Sequence, residues 1–354
     1  MISLRNIAIS RRRFIQASAV ATASGLVGRL GAVEPPSQKL HAYSDYGWLR
    51  GFNVVPSWGA RIEEAWWSYH PDRMREEVTL ARQVHANCIR LWIEFSAWMA
   101  NPEAVTSSFM DAISAIDEAG MKTMPCLFNR WHDNQWDYGG TYTETLLRDW
   151  RPQLEYVRAL VTPLANDDRV LVWDLCNEPQ DFDLQGEVKL REFNWLSEIN
   201  AAVRGCNPRQ PITIGTAFTT TIDTHEPLVD VLCGHPYATS LPGLQELLKG
   251  YTSQSALYKK PFLVNESIPG CLDDAARADT AQYYLEELSK AGFGWMGWAL
   301  REGKAVSTRR DRYDLNGIRL EGFHPFFTKD GQLRGGLEFM KEKPLQSPPW
   351  EQPS

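Results

Sequence analysis

From residue 50 onward the chain alternates short apolar or β-branched runs with longer stretches whose apolar residues recur at helical spacing. Runs of the first kind begin at Gly51 (GFNVV), Cys88 (CIRLWI), Lys122 (KTMPCLF), Val170 (VLVWDL), Pro211 (PITIG), Val229 (VDVLCG), Pro261 (PFLVN) and Phe293 (FGWMGWAL). Each predicts a strand. Between them, residues 72–86, 109–119, 146–164, 190–204, 241–248 and 280–291 read as amphipathic helices. The stretch after Ile214 is too short for a full helix, so one crossover is expected to be reduced. Eight strands with crossovers predict an α/β fold, a single-domain (β/α)8 TIM barrel over residues 50–342. A doubly wound open sheet is the alternative that the pattern leaves open. Residues 34–49 read as an N-terminal lead-in, and 343–354 (KPLQSPPWEQPS) as a C-terminal tail expected to be disordered.

Charge separates the first 33 residues from the rest. Over 354 residues, Lys+Arg 37 against Asp+Glu 44 gives a net charge of -7. Residues 1–33 hold Arg5, Arg11, Arg12, Arg13 and Arg29 and no acidic residue, which leaves 32 basic against 44 acidic side chains, -12, in the remainder. Such a body repels phosphate backbones and anionic membranes, which argues against a nucleic-acid partner. The basic stretch Ser10-Arg11-Arg12-Arg13-Phe14-Ile15-Gln16 precedes a weakly apolar run from Ala17 to Gly28 that is too polar for a stable membrane anchor. It resembles the twin-arginine export signal, with Gln16 where that pattern has Lys. The resemblance implies a signal peptide over 1–33, the twin-arginine export machinery as a partner, and a prokaryotic protein exported to the periplasm or beyond. The six cysteines form no CxxC pair, and no HExxH or clustered His/Cys array suggests a metal; buried free thiols are expected.

A barrel does its chemistry at the C-terminal ends of its strands. Strand four ends in Asn177-Glu178-Pro179, strand seven in Asn265-Glu266-Ser267, and strand six in His235-Pro236-Tyr237; strand two carries Arg90 and strand eight Trp298. Two glutamates thus face each other across a barrel mouth. Glycoside cleavage needs such a pair, one carboxyl protonated to donate to the leaving oxygen and one ionised.

WDLCNEP on strand four, HPY on strand six and VNES on strand seven resemble the clan-A glycoside hydrolases, nearest family 5, the cellulase and mannanase family, over roughly residues 50–340. The resemblance implies retaining hydrolysis of β-linked poly- or oligosaccharides without metal or cofactor. It makes Glu178 the acid/base and Glu266 the nucleophile. Asn177 would bond the sugar 2-hydroxyl, Arg90 would keep Glu266 ionised, His235 and Tyr237 would tune Glu178 and Glu266, and Trp298 would floor the site. His132, in NRWHD after strand three, is the candidate for the family's strand-three histidine, although its neighbours depart from the pattern.

The 14 tryptophans fit a sugar substrate, because aromatic faces stack on pyranose rings. Trp58, Trp66 and Trp67 after strand one, Trp98 after strand two, and Trp131, Trp136 and Tyr138 after strand three fall in loops at the mouth. Trp58 and Trp131 are the leading contacts with substrate, whereas Trp92, Trp173 and Trp195 read as packing. Gly292-Phe293-Gly294-Trp295-Met296-Gly297 spells GxGxxG but opens a strand, not a helix, so it is no dinucleotide loop. An exo-acting β-glycosidase, a cofactor-bearing oxidoreductase and a non-catalytic carbohydrate-binding barrel remain as alternatives.

Overall fold

The computed structural model describes residues 42–131, 146, 148–179, 186–238, 240–305, 308, 324–342, 344 and 346–351. Eight strands occupy the predicted runs: β1 (Arg50–Val54), β2 (Cys88–Trp92), β3 (Lys122–Cys126), β4 (Trp173–Asn177), β5 (Ile212–Gly215), β6 (Leu232–Cys233), β7 (Phe262–Leu263) and β8 (Trp295–Gly297). All pairings between them are parallel. β5-β4-β3-β2-β1-β8 form one sheet and β6-β7 another. The ring closes through Asp230 N and Val231 N donating to Ile212 O, and through the parallel bridge between Ser267 and Gly297. This is the (β/α)8 barrel, and the open-sheet alternative falls.

The described helices are α1 (Ile62–Trp67), α2 (Pro71–Arg82), α3 (Phe95–Ala100), α4 (Pro102–Glu118), α5 (Arg151–Val161), α6 (Gly186–Gly205), α7 (Thr219–His225), α8 (Leu241–Tyr258) and α9 (Asp274–Lys290). The reduced crossover is α7, only 7 residues long. Two helices escaped the sequence pattern. α1 and α3 have 6 residues each, less than two turns, and lie in the loops after β1 and β2. Several helices start as their residues dictate: Asn101, Ser240 and Asp273 cap α4, α8 and α9 by accepting a backbone N–H. Among the described residues, no helix is long and apolar enough to cross a membrane.

The barrel interior is layered. Its floor is apolar, with Cys88, Met124, Val172, Cys233, Leu263 and Met296 packed in one cluster with Tyr46, Trp48 and Leu49. Two residues further along the same strands, the side chain facing the axis changes character: Cys88 gives way to Arg90, Met124 to Cys126, Cys233 to His235, Leu263 to Asn265 and Met296 to Trp298. A strand's period of two therefore carries each chain from an oily plug to a polar layer in one step.

Residues 346–351 of the C-terminal tail correct the expectation of disorder. Trp350, in a short 3-10 turn, packs with its ring centroid 5.0 Å from that of Trp48, and Lys122 lies 5.6 Å over it. Arg50 donates 2.7 Å to Gln346 O. The tail holds because its indole covers the aromatic underside of the barrel. All six cysteines are free; five are buried and Cys206 is partly so.

Candidate active site

At the core of the polar layer lies Arg90, completely buried on β2. Its Nε and Nη2 donate to Asp174 Oδ2 at 2.9 and 2.7 Å, Nη1 to Glu266 Oε2 at 2.8 Å and Asn53 Oδ1 at 2.9 Å, and Nη2 to Asn177 Oδ1 at 2.8 Å. Burial alone would disfavour its charge; Asp174 and Glu266 outweigh that and raise its pKa. Asp174 and Asn177 are three apart on β4, which strict alternation would place on opposite faces. A register shift in the β4–β5 ladder between them lets both reach Arg90.

The strand ends then present the two glutamates. Glu178 leaves β4 with φ at 52°, a left-handed conformation rare outside glycine, and its N–H donates 2.7 Å to Gly215 O. His235 Nδ1 lies 2.6 Å from Glu178 Oε1, and Trp131 Nε1 donates to Glu178 Oε2. Across the mouth, Tyr237 OH donates 2.9 Å to Glu266 Oε1, opposite the Arg90 bond. Oxygens of both glutamates and a ring nitrogen of His235 all lie within 4.8 Å of one another.

The hydrogen bonds settle where the histidine proton sits. Asn265 Nδ2 donates 2.9 Å to Asp174 Oδ2, so Asn265 Oδ1 faces His235 Nε2 as an acceptor at 2.8 Å. Nε2 therefore carries a proton, and the Nδ1–Glu178 contact shares a second one. Burial would lower the pKa of His235, but Glu266, Cys233 and Glu178 raise it well above the usual histidine range. Burial would raise that of Glu178, yet the hydrogen bond and charge of His235 draw it below its ordinary value. Both directions favour the shared proton on His235 over Glu178. Glu266 is raised by burial first, against the pull of His235, and then by the charge of Glu178. That last contribution is reciprocal: when Glu178 takes the proton, Glu266 loses its repulsive neighbour, and Arg90 and Tyr237 hold it ionised.

The sequence-predicted residues divide accordingly. Glu178, Glu266, Arg90, Asn177, His235, Tyr237, Trp131 and Trp298 come together; Trp298 lines the mouth with its ring centroid 4.9 Å from that of Trp92. Trp58 does not join them. It is buried beneath α1, its Nε1 bonded to Ala65 O and its ring edge-on to Tyr69 and His70, and it faces a separate, smaller cavity. Trp66 and Trp98 are buried, while Trp92, read as packing, also lines the mouth. His132, Trp136 and Tyr138 lie outside the described residues. Sequence reasoning missed Asp174, Asn53 and Asn265, which hold Arg90 and His235, and Gly215. A Cβ on Gly215 would sit 2.8 Å from both Arg90 Nη2 and His235 Nε2. The signal for Asp174 was present: an acid inside an apolar strand.

The mouth opens into a cleft of about 980 Å3, walled by Ile62, Phe218, Leu247 and Pro269 among others. Among the described residues, Glu178, His235 and Glu266 are also the cluster whose donor atoms converge closely enough to chelate a cation, though the Arg90 guanidinium on Glu266 opposes one there. A parallel eight-stranded barrel with two buried carboxyls at its C-terminal mouth, one paired with a proton-bearing histidine and one with an arginine, has the parts of a glycoside hydrolase. The chain belongs to glycosyl hydrolase family 5, whose cellulase model matches residues 49–304.

Similarity beyond the family is distant. Mannan endo-1,4-beta-mannosidase F of Aspergillus clavatus is 26% identical over 111 residues, 29% of this chain and 25% of that protein. The chain thus matches about a quarter of that curated relative's length. Among solved structures, an exo-beta-1,4-mannosidase from Opitutaceae bacterium strain TAV5 is 20% identical with a TM-score of 0.65, covering 83% of this chain and 58% of that one. The hyperthermostable endo-1,4-beta-D-mannanase from Thermotoga petrophila RKU-1 is 16% identical, TM-score 0.55, covering 83% and 98%. These structures share the fold.

Proposed function

We propose that the protein hydrolyses β-linked poly- or oligosaccharides with retention, by double displacement. One observation carries this: oxygens of Glu178 and Glu266 approach within 4.8 Å. That suits direct attack by a carboxylate, whereas an inverting site separates its carboxyls by about 6.5–9.5 Å to admit water. Glu266, ionised between Arg90 and Tyr237, attacks the anomeric carbon. His235 passes the shared Nδ1 proton to Glu178, Glu178 gives it to the leaving oxygen, and the Glu178 carboxylate so formed is the base for the second step. Water deprotonated by Glu178 then releases the sugar. Asn177, anchored to Arg90 and donating 3.1 Å to Asn129 Oδ1, is oriented toward the sugar 2-hydroxyl, and Trp298 supplies the floor.

β-Mannan is the first substrate to test, because a curated relative is a mannan endo-β-mannosidase. Product size on a mannan, glucan and xylan panel separates endo from exo attack. We also propose export through the twin-arginine machinery, read from Arg11-Arg12-Arg13-Phe14, to the periplasm or beyond. Replacing Arg11, Arg12 and Arg13 by Lys should retain the protein in the cytoplasm.

The mechanism is tested by Glu266→Ala and Glu178→Ala. Azide should rescue the first to give a glycosyl azide of inverted configuration. The second should keep glycosylation from aryl glycosides with good leaving groups, since these need little protonation. Wild-type turnover in both variants would refute the assignment.

A further inference from the structure

A second cavity, of about 380 Å3, opens beside the catalytic cleft. Helix α1 separates the two. It buries Ile62, Glu63, Ala65 and Trp66, which leaves positions 64 and 67 facing outward. Helical period calls for polar residues there, and Glu64 complies. Trp67 does not: it is 55% exposed, and both residues line the cavity. A large exposed indole at the rim of a cavity is informative where a scattered leucine would not be. Trp58 forms the cavity's wall, with the Arg73 guanidinium 5.4 Å over its ring. Lys304 and His70 complete the lining.

Two features say what fits. The cavity neighbours the cleft: Arg61 and Ile62 line the cleft and Glu64 the cavity, while Ala305 lines the cleft and adjacent Lys304 the cavity. One turn of helix and one peptide lie between them. Both segments follow β1 and β8, the Trp298 side of the mouth and away from Glu178, which protonates the leaving group. The cavity therefore lies where the retained, glycone end of a chain would extend. Its charge is also unlike that of the body. Its lining carries two cations, Arg73 and Lys304, against one carboxylate, Glu64, and the charge of Arg73 also reaches buried Glu77.

We infer that this cavity is a distal subsite for the glycone end of the substrate chain, with Trp67 as stacking platform and Arg73 and Lys304 selecting a sugar that carries a carboxylate. The inference rests on the chain acting on β-linked sugar chains. Wild-type kcat/KM should rise from a β-1,4-linked mannose trimer to the hexamer. Trp67→Ala should lose about tenfold on the hexamer and nothing on the trimer, the scale of one aromatic stacking contact. Oxidising C6 of the hexamer's non-reducing terminal sugar to a carboxylate should lower KM for wild type. That gain should vanish in Arg73→Gln/Lys304→Gln, and in wild type at about 0.5 M salt. Equal losses on both lengths, or no preference for the oxidised hexamer, would overturn the inference. If wild type cleaves no β-linked oligomer, the hydrolytic reading of the substrate fails on its own account. Calorimetry then decides the subsite: oxidised-hexamer binding to Glu178→Gln that is weakened by adding Trp67→Ala supports it, and absent or unchanged binding overturns it.

Discussion

Arg277, on α9, is fully buried yet bonds no carboxylate. Its Nη1 donates 3.2 Å to Ile268 O and 2.6 Å to Pro269 O, and its Nη2 donates 3.0 Å to Trp298 O and also to His324 O. Its face lies 4.1 Å over the Phe326 ring. Burial first, against the opposing pull of Cys271 and Tyr237, lowers its pKa. The four carbonyls belong to three segments around the cleft, and Ile268 sits at φ 73°, a left-handed conformation that this guanidinium holds in place. Arg277→Met leaves the carbonyls without a donor, at about 1–3 kcal/mol each, while relieving a cation desolvation of several kcal/mol. The net loss should be about 3 kcal/mol, or roughly 6 °C in Tm for a domain of this size. Calorimetry at pH 7 measures it, and kcat/KM at 25 °C should fall as Trp298 and the loop after β7 shift. Arg277→Lys should recover part of both. A variant within 1 °C of wild type with unchanged kinetics would refute the reasoning, since four lost charge-assisted bonds cannot be silent.

Gly215→Ala should leave Tm within a few degrees of wild type but cut kcat/KM by about 100-fold or more, because its methyl displaces Arg90 and His235; activity near wild type would show that these groups have slack. Tyr237→Phe removes a hydrogen bond that lowers the Glu266 pKa, so the acidic limb of the pH–rate profile should move to higher pH. Glu77, buried and accepting Ser57 N at 2.9 Å, has its pKa pushed up to about 7, chiefly by burial. Its native form thus holds a proton that the unfolded form releases near 4.5. Its stabilising contribution is complete below that pH and is lost as pH rises through 7, about 3 kcal/mol in all. Glu77→Gln should match wild type in Tm near pH 4.5 and exceed it at pH 8; identical curves at both pH values would contradict this.

The strands were readable because each is an apolar run closed by a polar residue on the mouth side, and the glutamates because they end such runs. Asp174, Asn53 and Asn265 were harder to assign: each lies inside or beside an apolar strand, where only three-dimensional convergence on Arg90 and His235 gives it a role. Gly215 carries no side chain to notice, and its importance is the space that it leaves. The β1 loop misled in a different way. Position after a strand places Trp58 at the mouth, but it cannot reveal that α1 folds over the indole and turns it toward the neighbouring cavity. Short helices such as α1 and α3 show too few turns for a period to emerge, and the tail's order depends on one indole meeting a distant aromatic cluster.

The clasp of Tyr43, Trp48 and Trp350 brings the chain's entry into the barrel and its exit side by side, on the face away from the cleft. Residues 43 and 350 therefore meet at the pole opposite the substrate. The same proximity makes the barrel a good subject for circular permutation: a short linker could join residues 43 and 350, and new termini could be opened in an outer loop without threading chain past the catalytic mouth.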